Sequence, residues 1–384
     1  MNRFMSTLRH HFMLDPEITF LNHGSFGACP TPVFEEYQRW QRTLERQPVK
    51  LLARDIDGLL REAMTPLAAM LEADAADCVF VPNATTGINI VARSLRLEAG
   101  DEVLTTDHEY GACDYTWEYA CALAGAQYVH QSLPRPFASA EAFVEALWAG
   151  VTPRTRVLFL SHITSPTALT FPIEAVLKRA RAEGILTVID GAHAPGQIPI
   201  HLRTLDPDFY TGNFHKWLCA PKSSAFLYAR KEHQPSLTPA IISWGWPDDD
   251  FALRHERQAT RDPSAYLATP AALTFQQMHD WDAQRGRCHR LAQAARLALA
   301  EVTGLPPLAE HDGWFAQMIA AELPAPPEKA SAIKARLYEH HRVEVPVTFQ
   351  GGRIYVRASF QAYNDAEDLE RLLGALHETL AYVA

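Results

Sequence analysis

The stretch VLFLSHITSPTALTFPIEAVLKRARAEGILTVID (Val157–Asp190) decides the fold. Two short apolar runs, Val157–His162 and Ile185–Asp190, flank an amphipathic segment, Ile173–Glu183, that Pro172 opens and Gly184 closes. Proline at the start and glycine just past the end mark a helix. Apolar runs too continuous to face water on either side, alternating with such helices, are the pattern of a parallel sheet covered on both faces.

The alternation extends outward in both directions. Cys78–Pro82, Glu102–Thr106 and Ala126–His130 precede it, and Phe209–Gly212 and Ala225–Ala229 follow, which makes seven strand candidates in all. The expected fold class is therefore α/β: a large domain with a mostly parallel seven-stranded sheet covered by helices on both faces, plus a smaller α+β C-terminal domain. Beyond about residue 232 comes a Trp- and Pro-bearing connection (SWGWPDDD). A long helical segment is then expected from Ala265 to about Val302, and after LPAPPE (Leu323–Glu328) a helix (Glu328–His341), a strand (Ile354–Ser359) and a helix (Asp365–Val383). The expected division is an N-terminal segment 1–30 with a substrate-entrance turn, a large domain 31–260, a connecting helix 261–302 and a small domain 303–384. The Phe34–Arg46 helix is expected to pack against that small unit.

A chain of 384 residues has ample length for such a core. With 47% hydrophobic and 21% charged residues it has globular composition, and its net charge of −10 leaves no basic footprint for nucleic acid or an anionic lipid surface. Six scattered cysteines form no Cys-x-x-Cys pair, so a reducing cytosol is the expected compartment. No apolar run is long enough for a membrane span, and MNRFMSTLRHHFMLDPE lacks the apolar stretch of a signal peptide. The 17 histidines show neither His-Glu-x-x-His nor a Cys/His cluster, so no metal site is expected. Gly-x-Gly-x-x-Gly and Walker A patterns are absent as well.

In an open parallel sheet, ligands bind beyond the carboxyl ends of the strands. Four such positions carry chemistry. Asn83–Gly87 (NATTG) opens the helix expected over Ile88–Leu97, where unpaired N–H groups and the Thr85 and Thr86 hydroxyls suit an anion, although an Asn or Thr cap explains them equally. His108, Tyr110, Tyr115, Trp117 and Tyr119 offer ring faces, or plain core packing. Asp190 could pair with a cationic ring, or cap a turn. Lys216 could form a Schiff base with an aldehyde if desolvated, although most lysines are merely solvated. Pyridoxal 5'-phosphate uses all four: a helix start for its phosphate, a stacking ring, an acid at its ring nitrogen and a lysine for its aldehyde.

The motifs IDGAHAPGQ (Ile189–Gln197), YTGNFHKW (Tyr210–Trp217), NATTGIN (Asn83–Asn89), DHEYGA (Asp107–Ala112), RDPSAYLATPAAL (Arg261–Leu273) and YVRASFQAYN (Tyr355–Asn364) resemble the class V aminotransferase group of fold-type I pyridoxal phosphate enzymes. FLNHGSFGACP (Phe20–Pro30) resembles that group's isopenicillin N epimerase-like branch, which includes C–S lyases. The resemblance implies Lys216 as the Schiff-base lysine, Asp190 at the pyridine nitrogen and His193 at the ring's phenolic oxygen. It implies Ala84, Thr85, Thr86, Asn213 and His215 at the phosphate, and Tyr110 or His108 stacked on the ring. Thr260 would reach the neighbouring active site of a homodimer. Arg357 would clamp the substrate α-carboxylate through paired N–H bonds, with Asn22 and His23 at the substrate entrance.

The implied reaction starts at the α-carbon of an amino acid, with Lys216 taking the proton. Epimerisation or C–S cleavage ranks ahead of transamination, and Tyr110, His23 and His108 are candidates for a second acid. Glu339–Gly352 carries no cysteine, which argues against desulfurase-type persulfide transfer. A non-catalytic binding protein on the same scaffold is the alternative of a different class; it would be expected to have lost Lys216 or Asp190.

Overall fold

In the computed structural model, residues 8–136 and 139–383 are described; residues 1–7 of the expected N-terminal segment lie outside them. All seven expected strands form one sheet: β1 (Cys78–Val81), β2 (Glu102–Thr106), β3 (Gln127–Gln131), β4 (Thr155–Ser161), β5 (Leu186–Asp190), β6 (Phe209–Asn213) and β7 (Ala225–Ala229). Their order is β1-β7-β6-β5-β4-β2-β3. Only β7 is reversed, pairing antiparallel with both β1 and β6. The fold is thus a mostly parallel seven-stranded α/β sheet with an accompanying small antiparallel sheet.

Both faces of the large sheet are apolar, as a doubly covered sheet requires. Val79, Val81, Val157 and Phe159 bury into one cluster with the helix Ala84–Ser94, whereas Phe80, Leu158 and Leu160 bury into the other. Successive residues of one strand point to opposite faces, and each face is filled. The second cluster continues into Tyr355, Val356 and Leu372, so the large sheet and the small unit share one apolar core.

The small sheet holds β8 (Met318–Glu322), β9 (Val347–Gln350) and β10 (Arg353–Ser359) in the order β9-β10-β8, all antiparallel. Of these, only β10 is evident in the sequence, because MIAAE is alanine-rich and VTFQ is only four residues long. Thr19–Phe20 pairs with Val343–Glu344, so the N-terminal segment is stitched to the small unit.

Three sequence expectations need correction. The Thr31–Arg46 helix packs chiefly on the helices Ser264–Leu267 and Thr269–Met278 and not on the small unit, which Thr19–Phe20 reaches instead. The long helix expected from Ala265 to Val302 is three helices, Ser264–Leu267, Thr269–Met278 and Trp281–Thr303. Pro270 marks one start, and Asp280, in the left-handed region at φ 46°, breaks the chain direction and caps the last helix through Ala283 N–H. The helix expected from Ile88 instead begins at Ala84, because Asn83 already caps it by accepting from Thr86 N–H at 2.8 Å.

Gly87 lets this helix lie against β6: a Cβ there would overlap Thr211 Oγ1, with Thr211 Cβ 2.8 Å away. Alanine gains about 1 kcal/mol of helix propensity over glycine, but overpacking costs about 1–3 kcal/mol, so the overlap decides the sign. Gly87→Ala is expected to lower the thermal midpoint in calorimetry. An unchanged or raised midpoint would mean that the helix shifts freely off the strand.

Candidate active site

The parallel strands β1, β2, β4, β5 and β6 all end at one edge of the sheet, and the segments following them wall a cavity of about 700 Å³. Ala84, Thr85, Thr86, Tyr110, Asp190, His193, Asn213, His215 and Lys216 all line it. Residues from five separate segments therefore meet where strand polarity sends them.

At the helix start, Ala84 N–H donates to Asn213 Oδ1 at 2.8 Å and Thr86 N–H to Asn83 Oδ1. Among the described residues Thr85 N–H and the Asn213 amide NH2 find no hydrogen-bond acceptor, and both are donors suited to an anion. His215 donates or accepts through Nδ1 at the Ser224 carbonyl, 3.0 Å away; since a carbonyl only accepts, Nδ1 carries the proton.

Asp190 is 3% exposed. One oxygen accepts from Ala192 N–H at 2.8 Å, and the other lies 3.5 Å from Cys113 Sγ. Burial raises its pKa, against the opposing effects of the Ala192 bond and the Lys216 charge. A buried carboxylate without a directly bonded cation stabilises a positively charged N–H placed against it.

Lys216 is three residues past β6. Its Nζ lies 3.2 Å from His193 Nε2, and the Trp217 indole Nε1 lies 3.3 Å from His193 Nδ1. An indole N–H only donates, so His193 Nδ1 accepts and the neutral ring carries its proton on Nε2. The Lys216 amine accepts from His193 in its uncharged form, which it takes above about pH 8. Burial, followed by the Arg357 charge, lowers Lys216 to about 8, and burial first and then the Lys216 charge hold His193 well below the usual histidine range.

Arg357 is on β10, 2% exposed. Nη1 donates to Ser165 O at 2.6 Å and Nη2 to Ser25 Oγ at 3.1 Å, while Nε has no partner. Arg357 itself is outside the cavity wall, but Ser25 and Ser165 form part of that wall. Burial lowers the guanidinium to about 10, so it stays charged at neutral pH.

The two ring candidates separate. Tyr110 lines the cavity and is 46% exposed, whereas His108 is fully buried, hydrogen-bonded to Thr167 Oγ1 at 2.8 Å and outside the wall. Asn22 and His23, expected at the substrate entrance, do not line the cavity. Asn22 donates to Glu344 Oε1; His23 bonds the Tyr363 hydroxyl and the Lys216 carbonyl through its two ring nitrogens. They anchor the turn from beneath, and Ser25 and Phe26 of the same turn reach the wall instead. Gly27, at φ 72°, makes this possible, since a Cβ there would overlap the His215 carbonyl. Thr260 lies in a different cavity, of about 620 Å³, beside the 88% exposed Trp244.

Sequence reading missed Ser161, Ser165, Lys222 and Ser223 in the wall. It also missed Glu109, which accepts from Ser161 N–H and Thr106 Oγ1 and is pushed up to about 8 by burial. Only Glu109 carried a signal, as a carboxylate inside the matched DHEYGA motif. Among the described residues, no cluster of metal-ligating side chains occurs and no helix is long and apolar enough to cross a membrane.

The geometry has likenesses among known proteins. The family described as aminotransferase class-V matches residues 31–305. An isopenicillin N epimerase of Amycolatopsis lactamdurans is 35% identical, covering 96% of this chain and 97% of the relative. A probable chloroplastic L-cysteine desulfhydrase of Arabidopsis thaliana is 30% identical, covering 97% of this chain and 84% of the relative. Among solved structures, the cysteine desulfurase CsdA of Escherichia coli superposes with a TM-score of 0.81 at 23% identity, covering all of both chains. A C-DES mutant with glycine covalently linked to its pyridoxal phosphate cofactor gives 0.82 at 23% identity, covering 96% of this chain and 99% of that one.

The Lys216 geometry predicts a pH signature in the protein without cofactor. Lys216 titrates near 8 when folded against 10.5 as its ordinary value, so between these the unfolded chain binds more protons and stability rises with pH. Urea unfolding of wild type minus Lys216→Met is expected to rise across that window, by about 1.4 kcal/mol per pH unit. A flat difference would show that the folded amine is charged.

Proposed function

Because the chain belongs to the class-V aminotransferase family, whose members depend on pyridoxal phosphate, we propose that it is a pyridoxal phosphate enzyme that removes the α-proton of an amino acid. The observation that carries this reading is the buried Lys216 amine, its basicity lowered, held against His193 in the same cavity as buried Asp190. The donor set fits the cofactor: unpaired N–H groups at a helix start, an exposed ring face on Tyr110, a buried carboxylate and a nucleophilic amine in one cavity. When bound, the cofactor supplies an aldehyde that takes up an amine and a protonated ring that withdraws electrons from the bond being broken.

The chain's residues divide the remaining work. Lys216 supplies the amine for the aldehyde and afterwards holds the α-proton at Nζ. Asp190 keeps the ring nitrogen protonated. His193 Nε2–H would donate to the ring oxygen beside the aldehyde. Thr85 N–H and the Asn213 amide hold the phosphate at the helix start, with Ala84, Thr86 and His215 shaping it, and Tyr110 stacks on the ring. Arg357 orients the substrate through its α-carboxylate, and Ser25 and Ser165 keep its fork aimed. Thr260 reaches the second site of a homodimer.

C–S cleavage is the reading that the wall favours. A β-elimination needs one base, and Lys216 provides it; of the three candidates for a second acid, only Tyr110 lines the cavity. Epimerisation is the second reading, favoured by the 35% identical relative. Desulfurase chemistry through a thiolate fits poorly: β9 and its turn to β10 contain no cysteine, and burial holds Cys113 well above the usual thiol range.

The test is incubation with pyridoxal phosphate, borohydride reduction and peptide mass analysis, then separate assays of sulfide release from cysteine, α-proton exchange in D2O and keto-acid formation. Wild type is expected to carry the label on Lys216, and Lys216→Ala to carry none. Label elsewhere, or none in wild type, would falsify the cofactor reading. Arg357→Lys loses the paired contact, and KM for cysteine is expected to rise about 10- to 100-fold. An unchanged KM would place the carboxylate elsewhere.

A further inference from the structure

Two amines line the cavity, and the reaction uses only Lys216. The other, Lys222, is on the same loop. That loop is locked: Cys219 N–H donates to the Lys216 carbonyl at 3.0 Å, Ala220 N–H to Phe214 O at 3.1 Å, and Phe214 and His215 N–H both donate to Ser224 O. Cys219 and Ser223 sit in the left-handed region at φ 65° and 67°, a conformation that non-glycine residues adopt only when their surroundings hold them there. Lys222 is thus presented at a set position relative to Lys216 and His215.

Among the described residues Lys222 forms no ion pair, unlike Lys50, which pairs with Asp55. Its titratable neighbours are the thiols of Cys29 and Cys219 and the rings of His23 and His215. Burial holds both thiols protonated, Cys29 at about 12, so neither offers an anion. Lys222 keeps an open side, yet desolvation by the surrounding protein lowers its pKa.

The groups at the phosphate corner are otherwise neutral donors. Thr85 N–H and the Asn213 amide carry no net charge, and His215, whose proton on Nδ1 is spent on Ser224 O and whose pKa burial lowers to about 4, adds none. A phosphate or carboxylate brought there is desolvated and needs a cation.

We propose that Lys222 is an oxyanion-binding residue on the His215 side of the cavity, pairing with either the cofactor's phosphate or a distal carboxylate on the substrate side chain. This rests on the reading of the cavity as a site for pyridoxal phosphate and an amino acid. In the first case Lys222 supplies the positive charge of the phosphate corner. In the second it selects amino acids with an acidic tail, with Arg357 holding the α-carboxylate.

The test uses the full-length protein with Lys222→Met and Lys222→Arg. Retention of pyridoxal phosphate, and of pyridoxal as the phosphate-free probe, is followed by absorbance during dialysis. KM is compared for S-carboxymethylcysteine and S-ethylcysteine. A loss of pyridoxal phosphate affinity of about tenfold or more in Lys222→Met, with pyridoxal unaffected, assigns the phosphate. Unchanged cofactor retention with a similar rise in KM for S-carboxymethylcysteine alone assigns the substrate tail. In either case Lys222→Arg restores most of the loss, which a merely structural role would not predict. If Lys222→Met matches wild type within about twofold in all these measurements, the inference is overturned. Failure of wild type to bind the cofactor at Lys216 would instead sink the functional reading, and this one with it.

Discussion

The contact between Lys216 Nζ and His193 Nε2, 3.2 Å long, places a condition on everything around it. With the Trp217 indole donating to Nδ1, the imidazole donates toward the lysine, so the contact is made by the uncharged amine, which burial brings within reach near pH 8. An ammonium in that position would face a hydrogen-bond donor in a buried setting. Keeping one amine neutral is a demand on burial, on nearby charge and on loop geometry together. Arg357 contributes through its charge, and the loop contributes by tying the Lys216 carbonyl to His23 and to Cys219 N–H.

The sheet's contribution is polarity. Six strands run the same way, and five of them release their chains into one wall, so residues far apart in sequence arrive there together. The small unit contributes differently. Arg357 is on an antiparallel strand of another sheet, and it meets the cavity wall through Ser165 and Ser25. Ser25 touches Arg357 from the N-terminal turn, while Gly27 of the same turn packs on His215. The pairing of Thr19–Phe20 with Val343–Glu344 keeps the turn in register.

Charge in the cavity is unevenly distributed. Asp190 is buried beneath the site, and the cations lie at different places around it: Arg357 behind Ser25 and Ser165, Lys222 on the loop beyond Lys216. Such an arrangement suits a ligand carrying more than one negative group, each met separately, around a reacting centre whose amine burial makes less basic. The −10 net charge of the whole chain says nothing of this, because a local field depends on placement and not on totals.

Sequence alone determined the strands, their mostly parallel sheet and the strand-end residues Asp190 and Lys216, because burial on both faces imposes continuous apolar runs that composition reveals. The NATTG helix start was legible in kind, although Asn83 sets its first turn four residues earlier than the apolar spacing suggested. Within DHEYGA, spacing left His108 and Tyr110 equivalent; the wall takes Tyr110, because the helix Gly111–Ala124 begins just after it while His108 is buried against Phe171. Asn22 and His23 carried the suggestive chemistry, but Ser25 and Phe26 hold the wall, because a left-handed glycine turns the chain between two packed units. Local patterns fix which backbone forms, since they act through neighbouring residues. Which side chain faces the cavity, and whether an amine there is charged, is decided only by contacts between segments that the sequence keeps far apart.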